Sequence, residues 1–226
     1  MIAHPSPNFG PRPDGVRPDL IVLHYTAMPT AEAALNTLSN PDNEVSAHYL
    51  ISEEGQAFRL VPEEMRAWHA GAGRWGAVTD VNNHSIGIEL ANDGFSPYSM
   101  AQMDRLIELI AEVRARWNIP PERVIGHSDM APERKIDPGD RFDWQRLARE
   151  GQSVWFEDSS PQDTPEHFLP FLRRFGYTSE VAPEMILRAF RTRFRPEAKG
   201  PVDPTDIGIA ADLAHRFPVD AAILTA

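Results

Sequence analysis

The sequence predicts an α/β fold: a mixed central β-sheet flanked by helices, followed by a small three-helix C-terminal domain. Three patterns carry this reading. Apolar runs of strand length recur through the first 150 residues, Leu20–Thr26 and His84–Leu90 being the clearest. Helically spaced stretches alternate with them, and beyond Thr164 only helical patterns remain. Residues 1–150 are therefore the expected main domain, 151–164 a polar, turn-rich linker, and 165–226 the helical domain.

In chain order, the prolines up to Pro18 read as an irregular arm, followed by the strand "LIVLHYT", which puts His24 on the same face as Leu20 and Val22. A helix is expected from Thr30 to about Asn40. "AHYLIS" and "AFRLV" flank Glu54-Gly55 as a hairpin. In "HSIGIEL", Ile86, Ile88 and Leu90 face one way and Ser85, Gly87 and Glu89 the other. Ser99 and Gln102 predict a capping box for the longest helix, whose buried stripe is Met103, Leu106, Ile107, Ile110, Val113 and Trp117. "RVIGH" is a short strand that delivers His127 at its end. Three helices are expected over about Pro165–Phe175, Pro183–Phe194 and Pro204–Phe217.

Composition narrows the function classes. Eight acidic and eight basic residues fall from Pro165 onward, so the net charge of -11 is confined to the preceding residues. An acidic main domain argues against nucleic acid as a partner, because phosphates need a basic face. The absence of cysteine excludes disulfides, thiolate metal sites and a lipid-carrying Cys, so any metal must sit on His, Asp or Glu. No stretch is long and apolar enough for membrane insertion, and no signal segment opens the sequence. The expected location is the cytoplasm, with the periplasm or export by another route as the alternative. Oligomeric state is not legible.

Eight histidines are too many to be informative singly. Placement selects two: His24 and His127 sit at or near strand ends, and Asp137 follows His127 by ten residues in a proline-stiffened loop, "GHSDMAPERKIDPG". Two imidazoles and one carboxylate suit a Zn²⁺ that keeps a position open for water. Glu89 is a candidate base, because Gly87 on the same strand face leaves room beside it. Lys135, two residues before Asp137 in an extended segment, would project to the same side and could stabilise an oxyanion. The alternative reading makes Glu89 a solvated strand residue and Lys135 a surface charge. Spacing alone leaves both open, since no compact zinc motif occurs.

"VLHYTA", "SAHYLI", "AWHAG", "NNHSIGIEL" and "GHSDMAPERKIDPG" occur in the order found in the type 2 N-acetylmuramoyl-L-alanine amidases, which the first 150 residues resemble. The resemblance implies one zinc per chain bound by His24, His127 and Asp137, with Glu89 as general base and Lys135 stabilising the transition state. It implies hydrolysis of the amide between the lactyl group of muramic acid and L-alanine. Trp68, His69 and His48 fall in matching motifs and are expected to be structural or substrate-contacting. The C-terminal helices resemble a peptidoglycan-binding domain. The expected substrates are 1,6-anhydro-muropeptides of cell-wall recycling. A broader hydrolase of polymeric peptidoglycan and a non-catalytic muropeptide sensor are the alternatives.

Overall fold

A computed structural model describes residues 1–161 and 164–220; two residues of the expected linker and the last six of the expected helical domain lie outside the described residues. Eight strands and eight α-helices are formed among the described residues, the helices including Ala31–Ser39 (α1), Val81–His84 (α2) and Trp144–Arg149 (α5). The arm is less irregular than its prolines suggest, because Ile2–Ala3 (β1) and Phe9–Pro11 (β2) pair with later strands. Proline is tolerated there since both lie at sheet edges.

The remaining strands are Leu20–Tyr25 (β3), Tyr49–Ile51 (β4), Ala57–Arg59 (β5), Met65–Ala67 (β6), Ser85–Leu90 (β7) and Val124–Gly126 (β8). Six of them form one sheet in the order β1-β5-β4-β7-β3-β8, and β2 and β6 form a separate antiparallel pair. The sheet is mixed: β4 and β5 make the expected antiparallel hairpin, whereas β4, β7, β3 and β8 run parallel. Strands buried on both faces read as near-continuous apolar runs, which is why "LIVL" is fully buried.

Helix Met100–Trp117 (α3) covers one face, burying Met103, Leu106, Leu109, Ile110 and Val113 against Ile21, Leu23, Ile86 and Ile88. Only half of its expected capping box forms. Ser99 Oγ accepts from the Gln102 amide at 3.1 Å, but the Gln102 side chain donates instead to the carbonyls of Ile51 and Ala91, each at 3.0 Å. The Ile51 carbonyl also accepts from the Ala91 amide at 2.9 Å, so the buried Gln102 side chain ties the ends of β4 and β7 together, which an exposed helix start would not.

The opposite face receives the C-terminal helices Phe168–Phe175 (α6), Pro183–Phe194 (α7) and Pro204–Arg216 (α8). Their apolar residues share one core with Leu20, Val22 and Ile125 of the sheet. Trp75, fully buried, is the wedge between them; its ring meets Phe175 at 5.5 Å and Tyr177 at 5.0 Å, both edge to face. Gly176, at φ 143°, passes so near that a Cβ would lie 2.3 Å from the indole. Replacing Trp75 by Ala removes this wedge, and urea denaturation should show a loss of about 3–5 kcal/mol, as for other buried Trp truncations; an unchanged midpoint would mean that the two parts do not share a core.

Candidate metal centre

The parallel register builds the site. His24 at the end of β3 lies opposite Glu89 of β7, and Leu23 lies opposite Gly126 of β8. His127 therefore emerges directly beyond β8, beside His24. This is the carboxyl end of parallel strands, where open α/β sheets place their ligands.

The segment after β8 differs from the expected extended loop. His127–Met130 (α4) forms one helical turn before Pro132, and the amides of Arg134 and Lys135 fold back onto the Ala131 carbonyl at 3.2 and 3.0 Å. Proline forbids continuation of a helix but not a turn that ends before it. The loop then returns: the Ser128 amide donates to the Asp137 carbonyl at 2.9 Å. Gly126 makes that return possible, since a Cβ there would lie 2.8 Å from Pro138 Cδ.

Three donor atoms converge as a result. His24 Nδ1 and His127 Nδ1 are 2.9 Å apart, and each is 3.0 Å from Asp137 Oδ2. All three side chains are buried. The hydrogen-bond network assigns the ring protons. Ser85 donates its hydroxyl proton to the Val81 carbonyl at 2.5 Å, so its Oγ can only accept from His69 Nε2, 3.1 Å away. His69 Nδ1 must then accept from His24 Nε2 at 3.0 Å, which leaves His24 Nδ1 as a bare lone pair. His127 Nε2 donates to the Ala70 carbonyl at 2.9 Å, so its Nδ1 is bare as well.

Two lone pairs and a carboxylate oxygen thus face one point with no proton between them. Such a set repels itself unless a cation joins it, and N and O donors about 3 Å apart suit a zinc whose bonds are about 2.0–2.2 Å. Burial, reinforced by the neighbouring His127, pushes the His24 pKa down to about 4.

His24, His127, Asp137, Glu89 and Lys135 all line one cavity of about 390 Å³, together with Trp68 and His69. Glu89 Oε2 is buried there without a hydrogen-bond partner. Burial first, and then the charge of Asp137, push the Glu89 pKa well above the carboxylate range, with Lys135 opposing. Gly87 does leave room beside Glu89, but His69 fills it: a Cβ on Gly87 would lie 2.4 Å from that ring. Of the two roles expected for it, structural or substrate-contacting, the placement of His48 fits the structural one, since it does not line the cavity. It is fully buried, accepting at Nδ1 from the Gly87 amide at 2.9 Å and donating from Nε2 to the Met65 carbonyl at 3.1 Å. Its pKa falls to about 3 through burial.

Sequence reasoning missed several supports. Arg134 Nε donates to the Ala72 carbonyl at 3.0 Å, and its Nη2 also reaches the Ala70 carbonyl that holds His127. Arg12, in the proline arm, donates to the carbonyls of Glu63, Asn82, Asn83 and Ser85. Carbonyl clamps of this kind leave no motif, although a lone Arg between prolines was a signal of sorts.

A family profile described as N-acetylmuramoyl-L-alanine amidase matches residues 14–140. The N-acetylmuramoyl-L-alanine amidase AmiD of Escherichia coli (strain K12) is 36% identical, over 89% of this chain and 84% of its own length. The 1,6-anhydro-N-acetylmuramyl-L-alanine amidase AmpD of Enterobacter cloacae is 35% identical, over 63% of this chain and 86% of its own. Among solved structures, AmiD from E. coli in complex with the substrate anhydro-N-acetylmuramic acid-L-Ala-D-gamma-Glu-L-Lys superposes with a TM-score of 0.81 at 34% identity, covering 92% of this chain and 93% of that one. AmpDh3 from Pseudomonas aeruginosa in complex with anhydromuramic pentapeptide gives 0.83 at 31% identity, covering 92% and 95%.

His69→Ala frees the His24 ring to rotate and change tautomer. Competition with a chromophoric chelator should show zinc affinity lowered by about 10- to 100-fold, the usual effect of removing a group that orients a ligand; wild-type affinity would remove His69 from that role. In the metal-free chain, the folded pKa values of His24 and His48, about 4 and about 3, lie below the ordinary 6.5. The unfolded chain therefore binds more protons below that pH, so stability is full above it and declines as pH falls. Denaturation series should show up to about 1.4 kcal/mol lost per pH unit for each of the two.

Proposed function

The chain belongs to the N-acetylmuramoyl-L-alanine amidase family and is an amidase; from that premise we propose that it uses one zinc, held by His24, His127 and Asp137, to release stem peptides from 1,6-anhydro-muropeptides. The carrying observation is the convergence of those three donors beside an unpartnered Glu89 oxygen. The names of the relatives support the bond cleaved, and the bound ligands of the two similar structures support the anhydro sugar. The proposed compartment is the cytoplasm, where recycled fragments would be met; fractionation of the native protein tests it. No helix among the described residues is long and apolar enough to cross a membrane.

Zinc, when bound, supplies Lewis-acid polarisation and lowers the pKa of water to about 7. The chain's own residues do the rest. Glu89 Oε2 has a free lone pair and a raised proton affinity, so it can take the proton of the attacking water and hold it. As the carbon–nitrogen bond breaks, the same carboxyl returns that proton to the departing L-alanine amine. Lys135, on the wall of the same cavity, donates to the oxygen on which negative charge grows. Trp68 and the apolar Met28, Val45 and Ile136 line the approach and offer surface to the sugar and lactyl methyl groups.

Purified protein incubated with an anhydro-muropeptide, its reducing-end counterpart and intact sacculi should release stem peptide from the first in preference to the others, as read by mass spectrometry. Glu89→Gln should keep zinc and lose about 10²- to 10⁴-fold in turnover, the range for a general base. Absence of product from every substrate would leave the sensor reading, and equal cleavage of all three would leave the general wall hydrolase.

A further inference from the structure

The turn that carries His127 is held from the C-terminal region, by α7 and by the connection between α6 and α7. Asp129, 1% exposed, accepts from the Gly126 amide at 2.8 Å and from Arg193 Nη1 at 2.7 Å on one oxygen, and from the Tyr177 hydroxyl at 2.5 Å on the other. Arg193 is itself buried, with its guanidinium 4.2 Å over the Trp144 ring and Nη2 donating to Ser153 Oγ at 3.1 Å. Further along the same turn, Ser179 donates to the Met130 carbonyl at 3.1 Å and Arg188 to the Pro132 carbonyl at 2.5 Å. Four side chains between positions 177 and 193 thus hold residues 129–132, which lie between ligand candidates His127 and Asp137.

This placement is more than a shared core. Apolar burial is non-directional and would tolerate a turn displaced by a fraction of an ångström. A buried carboxylate with every contact specified does not, since each lost partner leaves an unsatisfied charge. The amide bound by Asp129 belongs to Gly126, the residue that precedes His127.

We propose that the C-terminal helices form a structural half of the metal centre: Tyr177 and Arg193 position His127 through Asp129, and so set how tightly the site holds its metal. The inference rests on the reading of His24, His127 and Asp137 as metal ligands. Tyr177 and Arg193 are positioning residues and touch neither metal nor substrate. The helices are on this account an integral support of the reaction centre and not a separable wall-binding module.

The test uses the full chain as Tyr177→Phe, Arg193→Lys and, as a control, Leu213→Ala, a buried residue of the same core outside the turn network. Zinc affinity is measured by chelator competition, folding by thermal unfolding, and local opening by hydrogen exchange of residues 126–137 in the metal-free protein. Tyr177→Phe should stay folded, exchange faster in that segment and bind zinc about tenfold more weakly, with Arg193→Lys at least as affected; Leu213→Ala should melt earlier yet bind zinc within about twofold of wild type. Unchanged zinc affinity in Tyr177→Phe overturns the proposal, as does equal weakening in Leu213→Ala. If Arg193→Lys does not fold, Tyr177→Phe decides. If the wild-type chain binds no zinc, the metal reading fails, and hydrogen exchange alone then judges the positioning role.

Discussion

Three electron-rich atoms lie within 3.0 Å of one another in a buried cavity, and the protein must hold them there against their mutual repulsion. Neither histidine can relieve the strain by switching tautomer. His127 is committed through Nε2 to the Ala70 carbonyl, and His24 through His69 and Ser85 to the Val81 carbonyl. Two backbone carbonyls, which can only accept, thereby fix which nitrogens are bare. The centre is prepared for a cation by groups that never approach it.

The architecture follows from supplying those carbonyls and strand ends in the right places. Parallel pairing of β3 with β7 and β8 brings His24, Glu89 and His127 to one edge, which an antiparallel arrangement of the same strands would have split between opposite ends. His48 has the same logic at one remove: pinned between the Gly87 amide and the Met65 carbonyl, it joins β7 to β6 without reaching the cavity. The two sheet faces differ in task. One is closed by α3 through apolar packing, the other by the C-terminal helices through the Trp75 wedge and the Asp129 network.

Acid–base chemistry depends on contrast within this small volume. Asp137 and Glu89 share one cavity, yet Asp137 Oδ2 lies 3.0 Å from two imidazole nitrogens while Glu89, lacking any partner on Oε2, has its proton affinity raised by burial and by Asp137 itself. Two carboxyl groups in such different surroundings suit the separate roles proposed for them, one as an anionic ligand and the other as a carrier of protons.

The longer strands and helices and their order were legible in the sequence because they rest on local rules: strand-length apolar runs, helical spacing in Met103 to Val113, and prolines that open α7 and α8; the short strands of the arm and the single helical turns were not. The five ordered motifs likewise contain the three side chains, His24, His127 and Asp137, that the structure brings together. What local rules could not supply was convergence, since His24 and His127 are 103 residues apart and meet only through parallel register. The use of Gln102 on strand carbonyls in place of a cap, the position of His48 outside the cavity and the hold of Tyr177 and Arg193 on Asp129 are all of this kind. Each is a competition between partners distant in sequence, won by whichever polar group burial would otherwise have left unpaired, and only the tertiary structure decides it.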